Sequence, residues 1–131
     1  MSPPVQLFAV IALVSLPTVM YGGYALLRLL KTDPDEFRRT YFRAGHAHAG
    51  VLLVMTLAAL SFLDRANLGT TAKWVVAILL EAGVLAQSGG MFIHLAVGRP
   101  RQWSVGNTVT TVGAVALAAG LLTLAFGIAT A

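Results

Sequence analysis

The ten residues Tyr41–Gly50, with the sequence YFRAGHAHAG, mark the point at which a charged connection becomes a long apolar run. They contain two of the three histidines of the chain, His46 and His48. No charged residue occurs from Ala44 to Leu63. A run of about 20 apolar residues is the length that crosses the hydrocarbon core of a bilayer as an α-helix. The stretch therefore predicts the start of a transmembrane helix.

The composition of the whole chain extends this prediction. The 131 residues are 57% hydrophobic and only 11% charged, whereas a soluble domain of this size usually has about 25% charged residues. The chain has no cysteine, which excludes disulfides, thiolate metal sites, thiol catalysis and haem attached through cysteine. The net charge of +4 comes from Lys and Arg that flank the apolar runs. These charges indicate membrane topology and not nucleic-acid binding.

Four apolar runs can be recognised, at about residues 5–30, 44–63, 72–97 and 103–129. They predict an all-α integral membrane protein, an antiparallel four-helix bundle that forms a single domain over residues 1–131. The first run is predicted to be a retained span and not a signal peptide, because it is long and no Lys or Arg precedes it. The second helix is predicted to begin near Pro34, with Asp33 as N-cap and Glu36 at the third position of a capping box.

The distribution of positive charge predicts the orientation of the bundle. Seven of the nine Lys and Arg residues border the first and third connections, and two lie on the opposite side. The seven are Arg28, Lys31, Arg38, Arg39, Arg43, Arg99 and Arg101, and the two are Arg65 and Lys73. By the positive-inside rule, both termini are predicted to lie outside the cytoplasm, and the start of the second span to lie on its cytoplasmic side.

Glycine recurs every seven residues along the fourth span. The positions are Gly106, Gly113, Gly120 and Gly127. A seven-residue period keeps one stripe facing a neighbouring helix, and glycine on that stripe allows close approach of the two backbones. The stripe is predicted to be a packing seam. The sequence leaves open whether it serves the bundle itself, a partner membrane subunit or a second copy of the chain.

Several polar side chains are predicted to share the cytoplasmic end of the bundle. Gln87, Met91 and His94 follow i, i+4, i+7 spacing on the third span, and an antiparallel second span brings His46 and His48 to a similar depth. His46 and His48 are about 200° apart around a regular helix, so both cannot point at one small ion. We expect His46 to face the bundle, because it lies one turn from the small residue Gly50.

Three interpretations of these histidines remain open. The first is a haem b site with one histidine of the second span and His94 as axial ligands, and with Arg43 or Arg99 paired with the propionates. The second is a copper or zinc site formed by His46 or His48, His94 and Met91. The third is the absence of any cofactor, with the histidines forming hydrogen bonds between helices.

Glu81 is the only acidic residue inside a predicted span. It falls near the middle of the third span, where an ionised carboxylate is costly, and shares a helix face with Val84 and Ser88. Two interpretations are open here as well. Glu81 either takes part in a proton or ion pathway, or it is a neutral acid that forms a hydrogen bond with a neighbouring helix.

The segment Phe42–Leu52 resembles the signature of small, uncharacterised four-helix bacterial integral membrane proteins, in which an RAGHAHAG-like stretch opens the second span. An aspartate such as Asp64 and a glycine-rich third span are part of the same pattern. The resemblance implies a multi-pass protein of the bacterial inner membrane and no established activity.

No nucleotide-binding loop, nucleophile–base pair or zinc-protease helix occurs, so an enzyme acting alone is not indicated. We predict an accessory or small subunit of a membrane complex that contacts lipid and no nucleic acid, with the haem b or metal site described above. The alternatives are a purely structural interaction protein and a small proton-coupled transporter that uses Glu81.

Overall fold

The computed structural model describes all 131 residues and contains four α-helices and no strand. The helices are α1 (Pro3–Thr32), α2 (Glu36–Leu63), α3 (Thr70–Val97) and α4 (Val105–Ala129). Each is long and apolar enough to cross a membrane. The predicted all-α bundle of four membrane-spanning helices is therefore confirmed.

The connection between α1 and α2 differs from the prediction in one detail. The N-cap of α2 is Asp35 and not Asp33, because the Asp35 carboxylate accepts the backbone N–H of Phe37 at 2.9 Å. The Asp33 carboxylate accepts the backbone N–H of Asp35 at 2.9 Å. Proline disfavours helical backbone in the residue that precedes it, so Asp33 is extended and ends α1. With Asp35 as N-cap, Glu36 is the first residue of α2 and not the third position of a capping box, so α2 begins two residues later than expected.

The end of the bundle opposite the α1–α2 connection contains both chain termini and the α2–α3 connection. We call it the terminal end. The backbone N–H of Asn67 donates to the carbonyl of Gly127 at 2.7 Å, and its side-chain amide donates to Thr130 at 3.0 Å. The backbone N–H of Ser2 donates to the Asp64 carboxylate at 2.9 Å. Hydrogen bonding by Ser2 holds the pKa of the Asp64 carboxyl below its usual range. These contacts close the terminal end of the bundle.

The glycine seam of α4 faces α3 and the α2–α3 connection. All four glycines of the seam are buried. A β-carbon on Gly106 would lie 2.5 Å from the carbonyl oxygen of Gly90, and one on Gly120 would lie 3.2 Å from the β-carbon of Leu79. The question that the sequence left open is therefore answered. The seam packs the bundle internally, and a partner subunit or second copy would have to use another surface.

Packing around α1 is much looser. Only Pro4, Val5 and Ala12 of this helix are buried. Many of its large apolar side chains are exposed, with Val14 and Met20 at 70% and 75%. These side chains are suited to contact with lipid, as expected for a helix at the edge of a membrane bundle. The fold thus combines a tightly packed α3–α4 pair with a helix α1 that rests loosely on α2.

Candidate functional site

His94 lies in the last turn of α3 and is enclosed by protein groups. It is 2% exposed, and its Nδ1 atom lies 2.7 Å from the hydroxyl of Ser104. The rings of Tyr41 and Phe37 cover it, with centroid distances of 4.4 and 5.4 Å. Ser104 also caps the start of α4. His94 therefore joins α2, α3 and the α3–α4 connection at this end of the bundle, which we call the histidine end.

His46 faces α1, where two consecutive glycines leave room for its ring. A β-carbon on Gly22 would lie 3.3 Å from the Nδ1 atom of His46, and one on Gly23 would lie 3.3 Å from its Nε2 atom. The histidine hydrogen bonds of the structure are formed by His48 and His94. Both ring nitrogens of His46 are consequently unpaired, although the side chain is half-buried.

His48 has a third environment. Its Nδ1 atom lies 2.9 Å from the carbonyl oxygen of Ala44, one turn earlier on α2. The ring lines a cavity of about 300 Å³ at the edge between α2 and α3, together with Gln87. His48 and Gln87 were expected at the same depth in the membrane, and the cavity that both residues line agrees with this expectation.

The residues predicted to hold a cofactor are not brought together. His46 faces α1, whereas His94 is covered by Tyr41 and bonded to Ser104. No group of three or more His, Asp or Glu side chains is arranged to hold a metal ion. Met91 is half-buried on α3, and Arg43 is exposed on α2.

Helix α4 fills the space beside Gly90 in which a haem macrocycle would have to fit. A β-carbon on Gly90 would lie 2.5 Å from the carbonyl oxygen of Gly106 and 2.5 Å from the backbone nitrogen of Thr110. Helix α4 therefore occupies this side of α3 down to backbone contact. Gly89, by contrast, has no atom within 4 Å of such a β-carbon.

The most unusual polar groups of the structure lie deeper in the bundle. Glu81 is 3% exposed, and neither oxygen of its carboxyl group has a hydrogen-bond partner. Thr56 on α2 is 0% exposed, and its hydroxyl also lacks a partner. Buried polar groups are nearly always paired, and leaving one unpaired costs about 1–3 kcal/mol. The Ser2 hydroxyl at the start of α1 is a third unpaired group, but only Thr56 and Glu81 lie well inside the spans, and these two need an explanation.

The helix register places these two groups at the same level. Leu53 of α2 and Val84 of α3 line one cavity. Counting three residues onward from Leu53 and three back from Val84 places Thr56 level with Glu81, because the two helices are antiparallel. Glu81, Val84 and Ser88 also share one face of α3, and the latter two line the side of the cavity formed by α3.

Helix α1 completes this layer. Ser15 lines the same cavity as Leu53 and Val84, and three residues before it lies Ala12, which is 0% exposed. Ala12, Thr56 and Glu81 thus lie at one level across α1, α2 and α3, near the middle of the spans, and all three are buried. We call this level the closed layer.

A cavity lies on each side of this layer along the bundle. The first, on the histidine-end side, measures about 200 Å³, and its polar lining residues are Ser15, Thr18 and Ser88. The second, on the terminal-end side, measures about 310 Å³ and lies between α1 and α2, with Asp64 at its mouth and Ala9 and Leu57 at its inner end. We call these the inner cavity and the terminal cavity. The closed layer separates them.

Such an arrangement suits a group that exchanges a proton with water on either side. A carboxyl can bind or release one proton, and a hydroxyl at the same level can donate a hydrogen bond to the ionised form. Glu81 was identified from the sequence, but Thr56 was not. The one indication in the sequence is that Thr56 is the only hydroxyl residue between Gly50 and Leu60, and hydroxyl residues are common in membrane helices.

Comparison with protein-family models, curated proteins and solved structures gave no match for this chain. Its function is therefore inferred from the residues and their geometry.

Proposed function

We propose that this small multi-pass membrane protein passes protons across the bilayer by reversible protonation of Glu81. The observation that carries the proposal is the buried, unpaired Glu81 carboxyl in the layer that separates two cavities. An ionisable residue inside a membrane span is costly and usually serves an ion or proton pathway.

The environment of Glu81 does not suit a purely structural role. An ionised carboxylate here has no positive partner, because neither ion pair of the chain involves Glu81. A protonated carboxyl leaves its O–H group unpaired in the observed arrangement. A leucine would fill the same place without this penalty. The residue is therefore better explained by chemistry than by packing.

Proton transfer requires that the closed layer open to one cavity at a time. Helix α1 is the element suited to this movement, because few of its residues are buried and Pro17 lies in its middle. Proline in a membrane helix removes one backbone hydrogen bond and permits bending. In one state the Glu81 carboxylate accepts a proton from water in the inner cavity. In the other state the carboxyl releases it to water in the terminal cavity, and the Thr56 hydroxyl hydrogen-bonds the carboxylate that is left.

The test is proton flux into liposomes that contain the purified chain and a pH-sensitive dye, driven by a potassium diffusion potential. Wild-type protein should acidify or alkalinise the lumen according to the sign of the potential. Glu81→Gln should reduce the flux to that of empty liposomes, since an amide cannot carry the proton. Thr56→Val should slow it about tenfold, as expected for loss of one hydrogen bond to a charged group.

Glu36→Gln is the matched control. Glu36 is the only other glutamate, and it is exposed in the first turn of α2. Its substitution should leave the flux unchanged. Glu81→Gln should also unfold at the same temperature as wild type or higher, because no native hydrogen bond is lost. Flux that persists in a folded Glu81→Gln protein, or wild-type flux no greater than that of empty liposomes, would contradict the proposal.

The haem b and metal-site alternatives have less support, because the candidate ligands face different neighbours. A spectrum of the purified protein distinguishes them from the proton pathway. A Soret band that shifts on reduction with dithionite and is absent from His94→Ala would favour haem b. A role as a small subunit of a larger membrane complex is compatible with either function.

A further inference from the structure

A continuous groove runs along α1 on the histidine-end side of the bundle. Two adjoining cavities of about 310 and 350 Å³ share Tyr21, Ala25 and Phe42 as lining residues. We call their union the α1 groove. It extends along α1 from Thr18, inside the span, to Thr32 at the end of the helix. At 1.5 Å per residue, this distance is about 20 Å.

The two ends of the α1 groove differ in chemistry. The inner part is apolar, with Val19, Phe42 and Phe92 among its lining residues. The outer part is lined by Arg28, which is exposed and belongs to neither ion pair of the chain. An unpaired guanidinium at the membrane surface is suited to bind a phosphate group through two parallel hydrogen bonds.

His46 provides a second polar group inside the groove. Its two ring nitrogens are unpaired, and it sits against Gly22 and Gly23 of α1. Arg28 follows these glycines by five or six residues, which corresponds to about 8 Å along the helix axis. From the surface inward, the groove therefore presents a cation, then a neutral hydrogen-bonding group, then apolar walls.

We propose that the α1 groove binds one anionic phospholipid from the surrounding leaflet. The lipid phosphate lies at Arg28, an ester carbonyl of the glycerol backbone accepts a hydrogen bond from the His46 ring, and an acyl chain packs against Phe42 and Val19. The order of charged, polar and apolar groups in a phospholipid matches the order along the groove.

The surroundings of the groove favour an anionic lipid over a neutral one. Lys31 and Arg43 are both exposed at the same end of the bundle, which makes this surface positive. Clusters of basic residues at a membrane surface attract anionic lipids, with a gain of about fivefold in affinity for each Lys or Arg. Tyr21 and Tyr24 stand at the rim and are 71% and 58% exposed, as expected for side chains at the headgroup level.

The residues of this lipid site are not those of the closed layer in the proton pathway. The α1 groove ends at Thr18 and Val19, which also line the inner cavity. A lipid in the groove would hold the loosely packed α1 against α2. Loss of lipid binding and loss of proton flux are measured separately, so either can fail without the other.

The test is native mass spectrometry of the delipidated full-length chain, titrated with phosphatidylglycerol or with phosphatidylcholine of the same acyl chains. Phosphatidylglycerol should bind as a single saturable adduct, and phosphatidylcholine at least about fivefold more weakly. Arg28→Gln should weaken phosphatidylglycerol binding about fivefold. Arg65→Gln is the control, because it removes the same charge at the opposite end of the bundle, away from the groove.

A second pair of variants tests the groove itself. Ala25→Phe should abolish the adduct, because Ala25 lines both cavities, whereas Leu27→Phe introduces the same ring at an exposed position outside the groove and should leave binding intact. Equal binding of the two lipids, or an equal effect of Arg28→Gln and Arg65→Gln, would overturn the proposal. So would phosphatidylglycerol binding that Ala25→Phe leaves unchanged.

Discussion

Helix α3 has two opposite faces that are packed in contrasting ways. On one face, Gly83 and Gly90 meet the backbone of α4, and a β-carbon on Gly83 would lie 2.8 Å from the backbone nitrogen of Leu117. On the other face, Glu81 and Ser88 look toward α1 and α2, where cavities remain. The first face has no space between the helices, and the second has the unpaired Glu81 carboxyl and a cavity lined by Ser88.

The difference between the two faces indicates that one side of the bundle provides stability and the other side can move. Close backbone contact is the main source of stability for helices in lipid, since apolar burial between them gains little there. The α3–α4 pair therefore acts as a rigid support. Regions with few buried contacts open most easily, and functional movement is usually found in them. The side formed by α1 and α2 is where the proton pathway and the lipid site are proposed.

The largest expected effect comes from filling the α3–α4 seam. Gly90→Leu places a large side chain against the backbone of α4 and should destabilise the bundle by more than about 3 kcal/mol, at or beyond the upper end of overpacking costs. Gly89→Leu is the matched control on the neighbouring residue, because a β-carbon there meets nothing within 4 Å. Thermal unfolding in detergent, followed by circular dichroism, measures both.

If the two variants unfolded at the same temperature, the α3–α4 seam would not be the rigid part of the molecule. Equal folding of Gly90→Leu and wild type would have the same meaning. A lower melting temperature for Gly90→Leu alone would sharpen the contrast between the two faces of α3.

The next largest effect on stability is expected from substitution of His94 compared with substitution of His46, because the two rings have different environments. His94→Ala removes a buried ring and its contact with Ser104, and it should cost about 2–4 kcal/mol, as for other large-to-alanine changes in a core. His46→Ala removes a half-buried ring without a hydrogen bond and should cost less than about 1 kcal/mol. Unfolding of the two variants side by side measures the difference. A larger loss for His46→Ala would reverse the assignment of rigid and open sides.

The fold could be predicted from sequence because a bilayer fixes the length of an apolar helix. Hydropathy alone located all four helices, and their bounds were correct to within a few residues outside α2. The charged start of α2 was less certain, because Asp33 and Asp35 can both cap a helix. Both have extended backbone, and only the hydrogen bonds that the Asp35 carboxylate accepts from the backbone of Phe37 and Arg38 identify the N-cap.

The arrangement of the site was harder to predict, for a geometric reason. Sequence spacing gives the depth of a residue in the membrane, and the common depth of His48 and Gln87 was obtained in this way. Spacing does not give the rotation of each helix about its axis. His46 and His94 were therefore placed near one another, whereas His46 faces α1 and His94 faces Ser104. The unpaired state of Thr56 depends on the same rotation.

The smallest expected effect concerns the two connections of the histidine end. In the α1–α2 connection, the backbone N–H of Asp35 and the Arg38 guanidinium hold the pKa of the Asp33 carboxyl below its usual range. A carboxyl whose pKa is lowered by folding stabilises the folded state above its unfolded pKa of about 3.9, and this contribution is lost as the pH falls through the lowered value. The α3–α4 connection is capped instead by Ser104 and Asn107, which do not titrate in this range.

Acidification from pH 5 to pH 3 should therefore loosen the α1–α2 connection and leave the α3–α4 connection unchanged. Amide hydrogen exchange of Asp35 and of Gly106, corrected for the intrinsic effect of pH, measures the two connections over this range. The exchange rate of the Asp35 amide should rise only below about pH 4, and Asp33→Asn should remove this pH dependence. If both connections changed together, the rigid and open sides would not be independent at this end, and α1 could not move on a fixed α3–α4 support.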